Sequence, residues 1–439
     1  MEKYLCRRAV YVLMSVAFWL YVTIAFVAEE FFPALMSAVV PVRSAVSLAV
    51  GALGIVLLRR RADIVAVVAF AVIVTVSAIV NGNSLMFTLN GVRGYIAVLL
   101  VMPVLRWQLA VPEASRRRLM DGIDRQLVAY LAVQAVCVTW QFARYGANDH
   151  GGGSWGMGGT GVVTVSIYLV SFWLMTRRWD GARTYLYNLW HNAWLVLLLF
   201  PTMLNETKVG LVILPLYFLL LMPFGRRYAR RMLVAVPVLA ACVIGAGALY
   251  LHTIDRDFGT IFSTGNISEY FFGGDDPQAM IANRKAYLAN PDSVPYSDWN
   301  CDLPRFVKME QIPDMLADTG GGIALGTGVG HLRKSAVMDS SDFARRYEWV
   351  IGGTLPFIFL LMVELGLAGA IWFLAVLVGW LLSGVPARGT HMLNLRILWA
   401  CVALILLFYN EAFKIVPFMM LFLYPLAAGE QEHKAEKDL

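Results

Sequence analysis

Apolar runs of about 18 residues or more recur along most of the chain, separated by short polar or basic segments. This is the pattern of helices long enough to cross a bilayer. The runs fall at about 9–28, 38–58, 63–80, 93–110, 126–143, 161–175, 192–204, 208–223, 232–252, 349–382, 393–409 and 412–428. They predict an all-α polytopic membrane protein with about 12 transmembrane helices. The 192–204 run is short for a span, and the 349–382 run is long enough to tilt or to carry a re-entrant piece. Between the ninth and tenth runs lies a polar stretch, 253–348, of 96 residues with 14 acidic and 9 basic side chains. A structureless loop of that length is uncommon in a compact protein. Helical patterns at 277–290 and 304–318, with the glycine-rich turn Gly320–Gly330, predict a small folded subdomain there. The expected organisation is therefore a membrane bundle over 1–252, a loop subdomain over 253–348, further spans over 349–428 and a polar tail over 429–439.

Charge in the connections tests this count, because cytoplasmic loops are enriched in Lys and Arg. With the N-terminus cytoplasmic, 22 of the 36 cations fall on one side, including Arg59-Arg60-Arg61, Arg116-Arg117-Arg118 and Arg226-Arg227. The opposite loops carry Glu29-Glu30, Asn81-Gly82-Asn83, Glu206 and Glu411, with only single cations such as Arg43. Both termini are expected in the cytoplasm and the 253–348 loop on the outer face. The first run follows Lys3, Arg7 and Arg8 without a small-residue cleavage site, so it reads as a retained helix.

Composition agrees: 59% of the 439 residues are hydrophobic and 15% charged, against about 45–50% and about 25% in soluble chains. The net charge of +6 is mostly the loop asymmetry and gives no reason to expect nucleic acid. The five cysteines, Cys6, Cys137, Cys242, Cys301 and Cys401, form no close pair, so neither a disulfide framework nor a zinc site is expected. No phosphate-binding G-x-x-x-x-G-K-[ST] motif occurs. The nearest sequence, Gly326-Thr327-Gly328-Val329-Gly330, has glycines at every second position and sits in the outer loop.

Ionisable groups in or beside spans are the sharper signal, because a charge at the bilayer centre costs about 2.5–3.5 kcal/mol on insertion scales. Arg93 opens the fourth run. Glu206 and Lys208 lie between two close runs, Glu364 lies inside the tenth, and Glu411 with Lys414 lies at the eleventh turn. Arg93, Lys208 and Lys414 all belong to the outer side, where the loop rule predicts few cations. Snorkelling or a local Glu206–Lys208 pair is the bland alternative. In the loop, Arg284-Lys285 and Arg305 with Lys308 fall on the predicted helices, and Arg333-Lys334 and Arg345-Arg346 follow the glycine turn. A solvated surface accounts for any one of them. Convergence of several would suit phosphate. None of the six histidines is paired at metal-ligand spacing; His331 stands out because it ends the glycine turn.

Four local patterns resemble the O-antigen polymerase (Wzy) and O-antigen ligase family of bacterial envelope enzymes. They are the arginine in Gly91-Val92-Arg93-Gly94, the glycine-rich start of a span in Trp155–Gly161, and the polar turn Asn205-Glu206-Thr207-Lys208. The last is an ordered set: Arg305, a helix, the turn Gly326–Gly330, and Glu364-Leu365-Gly366-Leu367-Ala368-Gly369. One feature departs. Many relatives carry His-Asn about nine residues before the E-x-G, where this chain reads Leu355-Pro356.

The resemblance implies a C-type glycosyltransferase architecture with a periplasmic loop, in the bacterial inner membrane. It implies transfer of an oligosaccharide from undecaprenyl diphosphate onto a second glycan, building capsule, exopolysaccharide or O-antigen. A ligase attaching glycan to lipid A-core, and a glycolipid transporter or flippase, remain alternatives. No cofactor or metal is implied. Arg93, Lys208, Arg284, Arg305 and Arg345 would bind the diphosphate, and His331, Glu348, Glu206 and Glu411, in that order, are candidates for the base. A chain-length regulator protein is an expected partner.

Overall fold

The computed structural model describes residues 2–146, 150–205, 207–222, 276–290, 303–332, 340–383 and 391–437. Among them every regular element is helical. The principal helices are α1 (Glu2–Glu30), α2 (Met36–Val56), α3 (Arg61–Val80), α4 (Leu85–Arg93), α5 (Ile96–Leu109), α6 (Glu113–Tyr145), α7 (Thr160–Arg177), α8 (Lys208–Leu220), α9 (Pro277–Ala289), α10 (Arg305–Glu310), α11 (Phe357–Leu382), α12 (His391–Tyr409) and α13 (Val416–Lys437). Among the described residues, seven stretches are long and apolar enough to cross a membrane, and the bent α4–α5 pair makes up to eight. This is an all-α architecture of the multi-pass membrane kind. Of the twelve expected runs, 232–252 lies outside the described residues. The 192–204 run is broken at Pro201 into Ala193–Leu197 and Pro201–Leu204.

Helices apolar on all sides lie inside the bundle, and those apolar towards the membrane lie outside it. Nearly all of α5 is buried, packed against α13, α2 and α3, and α7 is buried along most of its length. In contrast, α3 buries only Asp63, Phe70, Val74 and Ser77, one stripe of its surface, and leaves Val65, Val72 and Ile79 exposed.

Two breaks shape one end of the bundle. The fourth run, expected as one span from 93, begins instead at Leu85 after the Ser84 cap and bends by 50° between α4 and α5. The amides of Gly94 and Tyr95 bond three residues back, to the Gly91 and Val92 carbonyls, which tightens the chain there. The second break is in α11 at Gly366, whose φ of 64° and ψ of −163° are closed to residues with a side chain.

The glycine turn of the loop fills that break. The amides of Thr327 and Gly328 donate to the carbonyls of Val363 (2.8 Å) and Glu364 (3.0 Å). These carbonyls lack regular helical partners across the kink. A methyl group at Gly366 would come within 2.4 Å of the Ala324 backbone. Ser77, Asn81 and Asn83, at the end of α3, tie down the other side by donating to the carbonyls of Leu325, Gly326 and Thr327.

Upstream, the expected 304–318 helix is split into α10 and Ile312–Leu316 around Pro313, which has no amide to continue the ladder. Ile281, Leu303 and Val307 form a small core with Trp349. Ile312, Met315, Leu316, Val329 and Leu332 join the main core of the bundle. The described later part of the loop is thus packed into the bundle end.

Candidate functional site

At this end lies a cavity of about 380 Å³ between α1, α2, α4, the glycine turn, α11 and the segment just before α13. Arg43, Arg93 and Lys414 line it, together with Glu364, Glu411, Tyr21 and Ser44. Arg93 is carried in by the last turn of α4 and donates to the Ser44 hydroxyl at 3.0 Å. Arg43, on α2, donates to the Trp155 carbonyl at 2.8 Å, which joins the second glycine-rich motif to the cavity wall. Its guanidinium lies 5.0 Å from the centre of the Tyr21 ring. Among the described residues neither arginine forms an ion pair.

Glu364 is 4% exposed and already satisfied. It accepts from Tyr95 Oη (2.7 Å), from the Gly330 amide (3.2 Å) and from Lys414 Nζ (3.0 Å). Lys414 Nζ also lies 4.7 Å from the Tyr95 ring centre. With three donors on it, this carboxylate serves as a holder. It fixes Lys414 at the cavity and the glycine turn against α11. At the opposite wall, a methyl group on Gly91 would lie 2.3 Å from the Gly330 amide nitrogen, so α4 and the turn meet backbone to backbone. Three separate motifs, Gly91–Gly94, Gly326–Gly330 and Glu364–Gly369, therefore build one wall.

His331 follows directly. Its ring stacks on Phe87 at 4.9 Å and its Nε2 is buried without a hydrogen-bond partner. Burial pushes its pKa below the ordinary histidine value, opposed by the charge of Glu364, so the ring is neutral near pH 7.

The other sequence candidates are spread more widely. Arg305 donates to the Tyr409 carbonyl at 2.8 Å and stacks on that ring, two residues before Glu411. Arg284 lies against Gly352. Arg345 pairs with Asp342 on the surface, and Glu348 is exposed at the start of Glu348–Ile351. Glu206 and the side chain of Lys208 lie outside the described residues. Leu355, at the position of the relatives' histidine, is fully buried, packs in the core and is not part of the cavity wall.

Sequence reasoning passed over Arg43, although its place inside the 38–58 run was the available signal. It also passed over Tyr95 and Ser44, which no spacing rule marks. Among the described residues no group of three His, Cys, Asp or Glu side chains is placed to hold a metal ion.

Chemically, the cavity offers three cations, hydroxyl and amide donors, and two carboxylates, of which Glu364 holds Lys414 and Glu411 lies beside them. That set can hold a doubly charged anionic group and leave a base within the same space. The sequence matches no protein-family model and no curated protein.

Proposed function

We propose that the protein is a polysaccharide polymerase that joins undecaprenyl-diphosphate-linked oligosaccharide repeat units at the outer face of a bacterial inner membrane. In this reading both termini are cytoplasmic. The observation that supports it is the convergence of Arg43, Arg93 and Lys414 on one polar cavity, with Glu411 on the same wall.

In the reaction, the bond between the sugar's anomeric carbon and the diphosphate oxygen breaks, and the electron pair leaves with undecaprenyl diphosphate. The acceptor hydroxyl forms the new glycosidic bond and gives its proton to Glu411. Arg43, Arg93 and Lys414 take up the charge developing on the leaving group, a role that fixed donors fill well because they need no reorganisation. His331, neutral and beside the turn, is the second candidate for the proton.

Glycan chain length in cells carrying Arg93→Ala or Arg43→Ala tests this, with membrane levels matched. Loss of one such donor lowers the rate by about 10²–10³-fold, so single repeat units accumulate on the carrier. Full-length glycan that stays unattached would point to a ligase. Unchanged glycan in both variants would overturn the cation mechanism and favour transport. Glu411→Gln is expected to retain the lipid-linked donor and lose extension.

A further inference from the structure

We propose that the end of the bundle opposite the cavity holds a diacyl phospholipid with an anionic headgroup, its phosphate among Arg7, Arg8 and Arg118 and its chains running along α1, α6 and α13. Arg7 lies fourteen positions from the cavity residue Tyr21 on α1, about 21 Å at the helical rise. The two sites are therefore distinct, and this inference does not rest on the glycan reading.

Two adjoining hollows make the site. The first, of about 160 Å³, is lined by the three arginines with Ser115, Tyr11 and Gln108. No carboxylate lines it. Of the nearby acids on α6, Glu113 is engaged by Arg117 and Asp121 pairs with Arg177 at 3.7 Å. Arg7 is held in place, donating to the Ala110 carbonyl and lying 5.0 Å from the Trp107 ring centre. Arg8 and Arg118 are exposed and form no ion pair among the described residues. The second hollow is an apolar cleft lined by residues such as Phe18, Leu105, Leu127 and Leu421. Tyr11 and Gln108 line both, so a charged head site opens into an apolar groove.

Gln108 is the deciding residue. It is 2% exposed, yet among the described residues its side-chain amide makes no hydrogen bond. The residue lines both hollows, so its amide faces their junction and is open to a group placed there. A phosphate or glycerol ester oxygen placed there accepts from the amide. The groove beyond it, along helices of membrane-crossing length, favours a lipid over a free phosphate. The chemistry required is one negative headgroup and two chains, as in phosphatidylglycerol.

The test is native mass spectrometry of the full-length protein in nonionic detergent, titrated with phosphatidylglycerol or phosphatidylcholine. Phosphatidylglycerol should bind preferentially, and the double variant Arg8→Ala/Arg118→Ala should bind it about thirtyfold more weakly. Gln108→Leu, which fills the same space without a donor, should weaken it about tenfold and serves if the double variant does not fold. Equal binding of the two lipids would overturn the proposal. So would wild-type affinity in folded Gln108→Leu, or displacement of the lipid by glycerol phosphate at similar concentration.

Discussion

Two regions of the bundle, the network around Arg106 and the polar cavity, handle charge in opposite ways. Away from the cavity, Arg106 is buried and pairs with both Asp63 and Glu430, the latter at 2.9 Å. Glu430 in turn accepts from Arg60 at 2.6 Å and from Ser383 at 2.7 Å. That network ties α3, α5 and α13 together. At the cavity, among the described residues, Arg93 donates to a serine hydroxyl and Arg43 to backbone carbonyls, with no counter-charge paired to either. Buried charges that serve structure are found with their counter-charges. Cations that face an open volume without one are placed for something that arrives.

The contrast makes Arg106→Ala the most damaging change. It strands the buried Asp63 and leaves Glu430 with Arg60 and Ser383, which costs about 3–5 kcal/mol and should show as a large loss of thermal stability in detergent. Next is Gly91→Ala, whose methyl group meets the Gly330 backbone. Forcing α4 and the turn apart should cost about 1–3 kcal/mol, read in the same assay, with loss of the cavity's shape. Arg93→Ala should sit well below both, within about 1.5 kcal/mol of the parent, since it removes one exchangeable hydrogen bond. A collapse of stability in Arg93→Ala comparable to that of Arg106→Ala would erase the distinction between the two regions.

The smallest effect is on pH. The buried His331 takes up a proton less readily than in the unfolded chain. Stability from this group is therefore present above the unfolded value of about 6.5 and falls as the pH drops through it. Unfolding midpoints measured on either side of that value should shift in the parent and shift less in His331→Phe.

Much of the helical plan was legible, because a membrane imposes length and hydropathy on each span separately. Glu364, Arg93, Glu411 and Lys414 were legible for the same reason: each breaks an apolar context at a cost that asks for a use. What the sequence could not convey is lateral. That Tyr95 shares Glu364 with Lys414, that Arg43 reaches Trp155, and that α4 bends at Gly94 all depend on which helices touch. Spacing along one helix carries no record of its neighbours. Arg345 shows the converse error, since a cation with a suitable position can be spent on Asp342 one turn away.

The seam between the glycine turn and the break at Gly366 also sets an order of events during synthesis. The turn at 326–330 leaves the ribosome about forty residues ahead of the carbonyls it bonds, an interval of about 2–8 s at ordinary elongation rates. Throughout that time its amides must be satisfied by water. The loop can therefore take its final place only after the α11 span has been inserted, so the cavity wall is among the last parts of the molecule to be completed.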